Sequence, residues 1–121
     1  MINAKGVSQI IVYVADMAQQ VAFYRDLLGL AVAYPHVADY AAESWVAFST
    51  GECTFALHGG GGGSGSAEAP RFNFEVDDIQ SARDTLIAQN VWVGEIRSPI
   101  PNVYVLESKD PEGNYFTLRQ S

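Results

Sequence analysis

The chain has 121 residues, 48% of them hydrophobic, and its 14 acidic and 7 basic residues give a formal net charge of −7. This length and composition fit one packed domain, while the acidic balance argues against nucleic acid and anionic membrane surfaces as partners. The single cysteine, Cys53, excludes an internal disulfide and a cysteine-based zinc site. The apolar run Ile10 to Ala15 has only strand length, so we expect a cytoplasmic protein.

The first half begins with a strand that leads into a capped helix. Residues 9–15 alternate in character, which is typical of a strand, and Asp16 with Gln19 three residues later forms a capping-box pattern. Helical spacing then predicts a buried stripe, and Gly29 supplies a left-handed stop. The stripe comprises Met17, Val21, Tyr24 and Leu28. Three further strands are expected near 30–35, 43–49 and 53–58, with a hairpin turn over Ser49–Glu52.

A glycine- and serine-rich stretch separates the two halves, and we predict a flexible linker over 59–68. It contains a formal G-x-G-x-x-G match at Gly60, Gly62 and Gly65. No helix is expected after it and a phosphate loop would also need a lysine, so the match does not indicate a nucleotide site.

The second half repeats the order of the first. A strand at 71–76 precedes the capping residue Asp78, a helix at 79–89 and the stop residue Asn90. Further strands are expected near 91–95, 103–108 and 114–119, the last two joined by the turn Asp110–Asn114. The two strand–cap–helix blocks lie about 62 positions apart, which indicates two copies of one supersecondary unit.

This order, the block Val14–Leu30 and the turn Asp110-Pro-Glu-Gly-Asn114 together resemble the vicinal oxygen chelate superfamily, which includes glyoxalases, bleomycin-resistance proteins and dioxygenases. The resemblance implies an α+β fold in which two tandem βαβββ modules form a curled mixed sheet around a cleft. We expect one domain over 1–121, with module one at 7–58 and module two at 70–120. The family's clefts are usually completed by a second chain, so a homodimer is expected.

The resemblance also identifies the positions that carry metal ligands in the family's metalloenzymes. Here those positions fall on Gln9, Ala56, Arg71 and Thr117. Only Gln9 is a reasonable ligand, because alanine has no donor atom, arginine repels a cation and threonine is a poor neutral ligand. We therefore predict no metal cofactor at these positions.

Strand alternation predicts that one face of the sheet is polar and the other apolar. The polar face needs either solvent or a ligand to satisfy it, so it is the expected binding surface for a small molecule. Together with aromatic residues in or beside loops, the candidate ligand-binding residues are Gln9, Tyr13, Tyr40, Trp45, His58, Arg71, Asn73, Tyr104 and Thr117.

Two of these residues have competing interpretations. Arg71 suits a planar anionic group, yet it could instead pair with Glu75 four places along the same strand face. Trp45 would pair across from Ala56 and face the cleft if Thr50-Gly51 is a two-residue turn, whereas a slipped register would send it to the core.

Three functional hypotheses follow. The first is a metal-free protein that binds a small, anionic or aromatic organic molecule, as the family's sequestering resistance proteins do. The second is a glyoxalase- or dioxygenase-like metalloenzyme with displaced ligands at Gln9, His58 and Glu75. The third is a metal-free lyase or isomerase that uses His58 or Glu75 as its acid or base, although a strand-end histidine is often only structural.

Overall fold

The structure is a computed structural model that describes residues 1, 3, 5, 7–61 and 69–121. The chain divides into two compact units, unit 1 over Met1–Gly62 and unit 2 over Gly63–Ser121. The division falls within the linker predicted at 59–68. Most of that linker, with Gly62 and Gly65 of the glycine motif, lies outside the described residues.

Unit 1 contains one helix and a four-stranded mixed sheet. The strands are β1 (Gln9–Val14), β2 (Ala31–Tyr34), β3 (Trp45–Thr50) and β4 (Cys53–Gly59), and helix α1 (Met17–Ala22) follows β1. Their order in the sheet is β1-β4-β3-β2, with β1 parallel to β4 and the other pairs antiparallel. The predicted β-α-β-β-β order of the first half is confirmed.

Helix α1 begins after the predicted cap Asp16, and the helical region ends at the predicted stop Gly29. The last turn of this region, beyond Ala22, is wider than an α-helix. The Asp16 carboxylate accepts a hydrogen bond from the Gln19 backbone N–H at 3.0 Å. Residues Phe23–Leu27 form a π-helical turn, in which the Leu28 N–H donates to the Phe23 carbonyl, and Gly29 then adopts φ +79°. Met17, Val21 and Tyr24 are buried as expected, so the wider turn keeps the apolar stripe on the sheet.

The β3–β4 hairpin has a different register from the predicted one. Thr50 pairs with Cys53, so the two-residue turn is Gly51-Glu52, and Gly51 has the φ of +78° that this turn requires. Trp45 therefore pairs with His58 rather than with Ala56. A shift of two residues preserves the face of every side chain, so Trp45 stays away from the core while Phe48 is fully buried.

Unit 2 repeats the same arrangement. Its elements are β5 (Asn73–Glu75), α2 (Ile79–Ala88), β6 (Arg97–Ile100), β7 (Val103–Lys109) and β8 (Tyr115–Gln120), in the sheet order β5-β8-β7-β6. The Asp78 carboxylate accepts from the Ser81 N–H at 3.0 Å, and Asn90 ends the helix region with φ +59°. The α+β class with two βαβββ modules is confirmed, and each unit's sheet is open.

The prediction of a strand at 91–95 was wrong. The ladder begins at Arg97, and before it only Val93 forms an isolated bridge, to Ser108. The reason lies in competing hydrogen bonds, because the Val91 N–H donates to the Leu86 carbonyl at the helix end. The Ser108 hydroxyl also donates to the Trp92 carbonyl at 2.8 Å. Strand β5 is likewise shorter than the predicted 71–76.

Each unit buries the apolar face of its sheet against its helix, as the alternation predicts. In unit 1 the buried side chains include Val12, Val14, Val21, Tyr24, Val46, Phe48, Phe55 and Leu57. In unit 2 they include Ile79, Leu86, Leu106, Phe116 and Leu118. Among the described helices, none is long and apolar enough to cross a membrane.

Candidate functional site

The opposite side of each sheet, which we call its outer face, carries the polar and aromatic side chains. In unit 1 this face comprises Gln9, Ile11, Tyr13, Trp45, Ala47, Thr54, Ala56 and His58, as the strand register requires. The outer face of unit 1 therefore contains five of the six candidate or family positions named for the first half, every one except Tyr40.

His58 lies between two aromatic rings on this face. Its ring centroid is 5.0 Å from that of Tyr13 and 5.9 Å from that of Trp45. Its Nδ1 is 2.6 Å from the Gly59 carbonyl oxygen, so Nδ1 donates there and Nε2 is the acceptor of the neutral ring. This hydrogen bond orients the imidazole between the Tyr13 and Trp45 rings at the end of β4.

Gln9 lies at the other end of the same face. It pairs with Thr54, whereas His58 pairs with Tyr13, four residues further along β1. Four residues of strand span about 13 Å. The structure therefore does not bring Gln9 and His58 together around one ion.

Tyr40 lies apart from the outer face. It is 6% exposed, its hydroxyl donates to the Pro35 carbonyl at 2.8 Å, and the Arg25 guanidinium lies 5.7 Å from its ring centroid. It helps to line a cavity of about 470 Å³ beside β2. The other lining residues are Arg25, Leu30, Ala31, Val32, His36, Val37 and Ala38.

The outer face of unit 2 carries a row of charged side chains. Arg71 Nη1 is 3.3 Å from Glu107 Oε2, and Arg97 Nη2 is 3.8 Å from Glu107 Oε1. Glu75 instead pairs with Arg119 at 3.1 Å. The expected alternative pairing of Arg71 with Glu75 is therefore replaced by a cross-strand pairing with Glu107.

Aromatic rings lie among these charges. The Arg71 guanidinium is 4.4 Å from the centroid of the Tyr115 ring, and Lys109 Nζ is 4.8 Å from the same centroid. Lys109 Nζ is also 4.7 Å from the ring of Trp92, which is 48% exposed. Cation–π attraction holds the two basic groups over rings that remain accessible from the outer face.

This face is basic although the chain is acidic. It holds Arg71, Arg97, Lys109 and Arg119, four of the 7 basic residues of the chain. Two acidic side chains, Glu75 and Glu107, form the ion pairs that the structure describes with these basic groups. The surplus of positive charge favours an anion at this surface.

Glu75 is held as a carboxylate. The Ser121 hydroxyl and backbone N–H donate to it at 2.8 and 3.0 Å, and Arg119 donates at 3.1 Å. The hydrogen bond from the Ser121 side chain and the charge of Arg119 lower the pKa of Glu75. A carboxylate with a lowered pKa is a weaker base, which disfavours Glu75 as a proton acceptor.

The remaining candidates of unit 2 divide between the two sides of the sheet. Asn73 and Thr117 are paired neighbours on the outer face, and Thr117 also pairs with Glu107. Tyr104 lies two residues before Leu106 in β7 and so shares the face on which Leu106 is buried against the helix side, and Tyr104 therefore does not join the charged row. Alternation along β7 was the signal that could have identified Glu107 and Lys109.

The arrangement of two βαβββ units, each with one polar sheet face, defines a class of fold, and comparison with known proteins identifies the family. The profile of the glyoxalase/bleomycin resistance protein/dioxygenase superfamily matches residues 6–118. The chain therefore belongs to this superfamily. No curated protein matches the sequence significantly.

Solved structures share the fold at low sequence identity. A lactoylglutathione lyase from Agrobacterium tumefaciens is 21% identical with a TM-score of 0.72, covering 98% of this chain and 96% of its own. An antibiotic-binding protein from a Streptomyces species, TnmS3, is 18% identical with a TM-score of 0.73 and coverages of 99% and 98%. The fosfomycin resistance protein FosX from Mesorhizobium loti is 16% identical with a TM-score of 0.73 and coverages of 98% and 93%.

Proposed function

We propose that this protein binds a small organic molecule of anionic or aromatic character, and that it does so without the family's usual metal centre. The observation that carries the proposal is the outer face of unit 2, where Arg71 and Lys109 lie over the ring of Tyr115. Aromatic walls with a few placed polar groups are typical of small-molecule sites.

The residues at the family's metal positions do not fit a metal ion. Ala56 is fully buried and has no donor atom. The Arg71 guanidinium is a permanent cation that already contacts Glu107 and Tyr115. Thr117 is neutral, which leaves Gln9 as the one reasonable ligand of the four. No part of the proposed function therefore uses a metal ion.

The two enzymatic alternatives have less support. A displaced metal site would need Gln9 and His58 together, and the strand register separates them by about 13 Å. Acid–base chemistry at Glu75 is disfavoured because the pKa of this carboxyl is lowered by Ser121 and Arg119. For His58, the ring contacts that the structure describes are with the Tyr13 and Trp45 rings and the Gly59 carbonyl, and none of them supplies a carboxylate or a second imidazole.

Two further expectations belong to the proposal. The protein acts in the cytoplasm, and it forms a homodimer, as the family resemblance implies. Light scattering of the purified protein measures its mass directly, and a dimer has twice the 13.1 kDa of one chain.

The binding surface is tested by substitution of Arg71. Aromatic acids are screened by thermal shift, and the dissociation constant of the best one is then measured by titration calorimetry. We expect Arg71→Gln to weaken binding about tenfold or more, because a hydrogen-bonded charge is lost. The matched control is Arg83→Gln, since Arg83 lies on α2 and contacts Gly94 and Glu95 instead. Equal affinities for Arg71→Gln and the wild type would contradict the proposal.

A further inference from the structure

We infer that Glu107 is an internal counter-ion that the ligand replaces, so that an acid group of the ligand binds between Arg71 and Arg97. The inference rests on the proposed function and names its ligand class, a planar organic acid. Glu107 would then determine specificity by competing with the ligand for the same two guanidinium groups.

The geometry of Glu107 is that of a loosely held ion pair. Its carboxylate oxygens are 3.3 Å from Arg71 and 3.8 Å from Arg97, longer than the 2.7–3.0 Å of the Arg25–Asp26 pair. The Glu107 and Arg71 side chains are 32% and 30% exposed, and that of Arg97 is 67% exposed. Solvent-accessible ion pairs contribute little to stability, so a carboxylate of the ligand can readily replace Glu107 in this pair.

The positive charge around Glu107 exceeds its single negative charge, so this site can accept an added anion. Arg71 and Arg97 supply two positive charges to the Glu107 carboxylate, and Lys109 lies two residues further along the same face of β7. An arginine fork recognises a planar carboxylate through two parallel hydrogen bonds. A ligand acid group therefore fits the chemistry of the site better than a neutral polar group does.

The neighbouring rings indicate the rest of the ligand. Trp92 and Tyr115 have centroids 6.1 Å apart, and Lys109 Nζ lies within 4.8 Å of both. A flat ring can pack beside the rings of Trp92 and Tyr115 while its acid group pairs with Arg71, whose guanidinium lies over Tyr115. A second acid substituent would meet Lys109, so an aromatic dicarboxylate should bind more tightly than a monocarboxylate.

The experiment measures the affinities of three probes, phthalate, benzoate and neutral benzamide, for the full chain by titration calorimetry. We expect the order phthalate, benzoate, benzamide from tightest to weakest. Glu107→Gln should tighten phthalate binding about threefold or more, since the competing charge is removed. Glu95→Gln is the matched control, because Glu95 pairs with Arg83 and is 88% exposed.

The sign of the Glu107→Gln effect decides the inference. Weaker phthalate binding would show that Glu107 positions the arginines rather than competes, and would overturn it. Arg71→Lys keeps the charge but loses the fork, and we expect it to weaken phthalate binding with an unchanged melting temperature. Retention of wild-type affinity in Arg71→Lys would also count against the inference.

The probes separate this inference from the proposed function. If benzamide and benzoate bind equally and both quench tryptophan fluorescence, a small-molecule site exists but the acid group is not recognised. The inference then fails while the proposed function stands. If none of the three probes binds, the inference fails, and the thermal-shift screen decides the proposed function separately.

Discussion

At the scale of single residues, Arg71 changes the chemistry of its position in the family. The family resemblance assigns Arg71 to a position that carries a metal ligand in the family's metalloenzymes, and a guanidinium there would repel a metal cation and attract a planar anion. Its contacts with Glu107 and Tyr115 hold it over the outer face of unit 2. The sequence left two alternatives open for Arg71, a ligand anion or a pair with Glu75, and the structure pairs it with Glu107.

A second single residue determines the conformation of the β7–β8 turn. Asp110 is 4% exposed, and its carboxylate accepts from the N–H groups of Glu112 and Asn114 and from the Asn114 side-chain amide. Asp110→Ala should lower the free energy of unfolding by about 1–3 kcal/mol, because these donors lose their partner. Urea denaturation measures the change. Glu52→Ala, at an exposed turn, should change it little, and similar losses in both variants would contradict this explanation.

At the scale of secondary-structure elements, the helix ends were predictable because each depends on a local signal. Asp16 and Asp78 cap the two helices, and Gly29 and Asn90 adopt the left-handed conformation after them. The strand at 91–95 was not predictable in the same way. Its Val91 N–H donates to the Leu86 carbonyl at the helix end, and its Trp92 carbonyl accepts from the Ser108 hydroxyl, a contact 16 residues away that leaves no pattern in the local sequence.

The cap of α2 should make stability depend on pH. Hydrogen bonds from Ser81 lower the pKa of Asp78, so the stabilisation is present above the ordinary aspartate range. It should be lost as the pH falls below about 4. Asp78→Asn keeps the capping geometry without a charge.

The difference in melting temperature between the wild type and Asp78→Asn isolates this effect, because Asp26 and Glu75 also have lowered pKa values. We expect the wild type to lose more stability than Asp78→Asn between pH 5 and pH 2. Parallel pH profiles for the two proteins would rule out the cap as the cause.

At the scale of the whole molecule, the repeat predicted the fold and only part of the candidate site. Two blocks about 62 positions apart imply two equivalent units, and both adopt the expected βαβββ order. The outer-face residues were predicted from the alternation of side chains, which requires only the position of each strand in the sequence. Tyr40 was placed less well because it lies outside the strands, where no periodicity assigns a residue to a face. Tyr104 lies in β7, where alternation assigns it, together with the buried Leu106, to the helix side rather than to the outer face.

The distribution of charge is also a property of the whole molecule. The chain has a net charge of −7, yet four basic side chains share the outer face of one unit. Such a local surplus of positive charge is expected to attract small anions while the overall charge repels polyanions. Composition alone gives only the net charge, so it concealed the basic surface.

The most direct test of metal-free binding at this surface is a chemical-shift titration of the chelator-treated full chain with phthalate. We expect saturable chemical-shift changes at the backbone amides of Arg71, Glu107 and Tyr115, with the same dissociation constant before and after chelation. Binding that disappears on chelation and returns with added zinc, nickel, iron or manganese would contradict it.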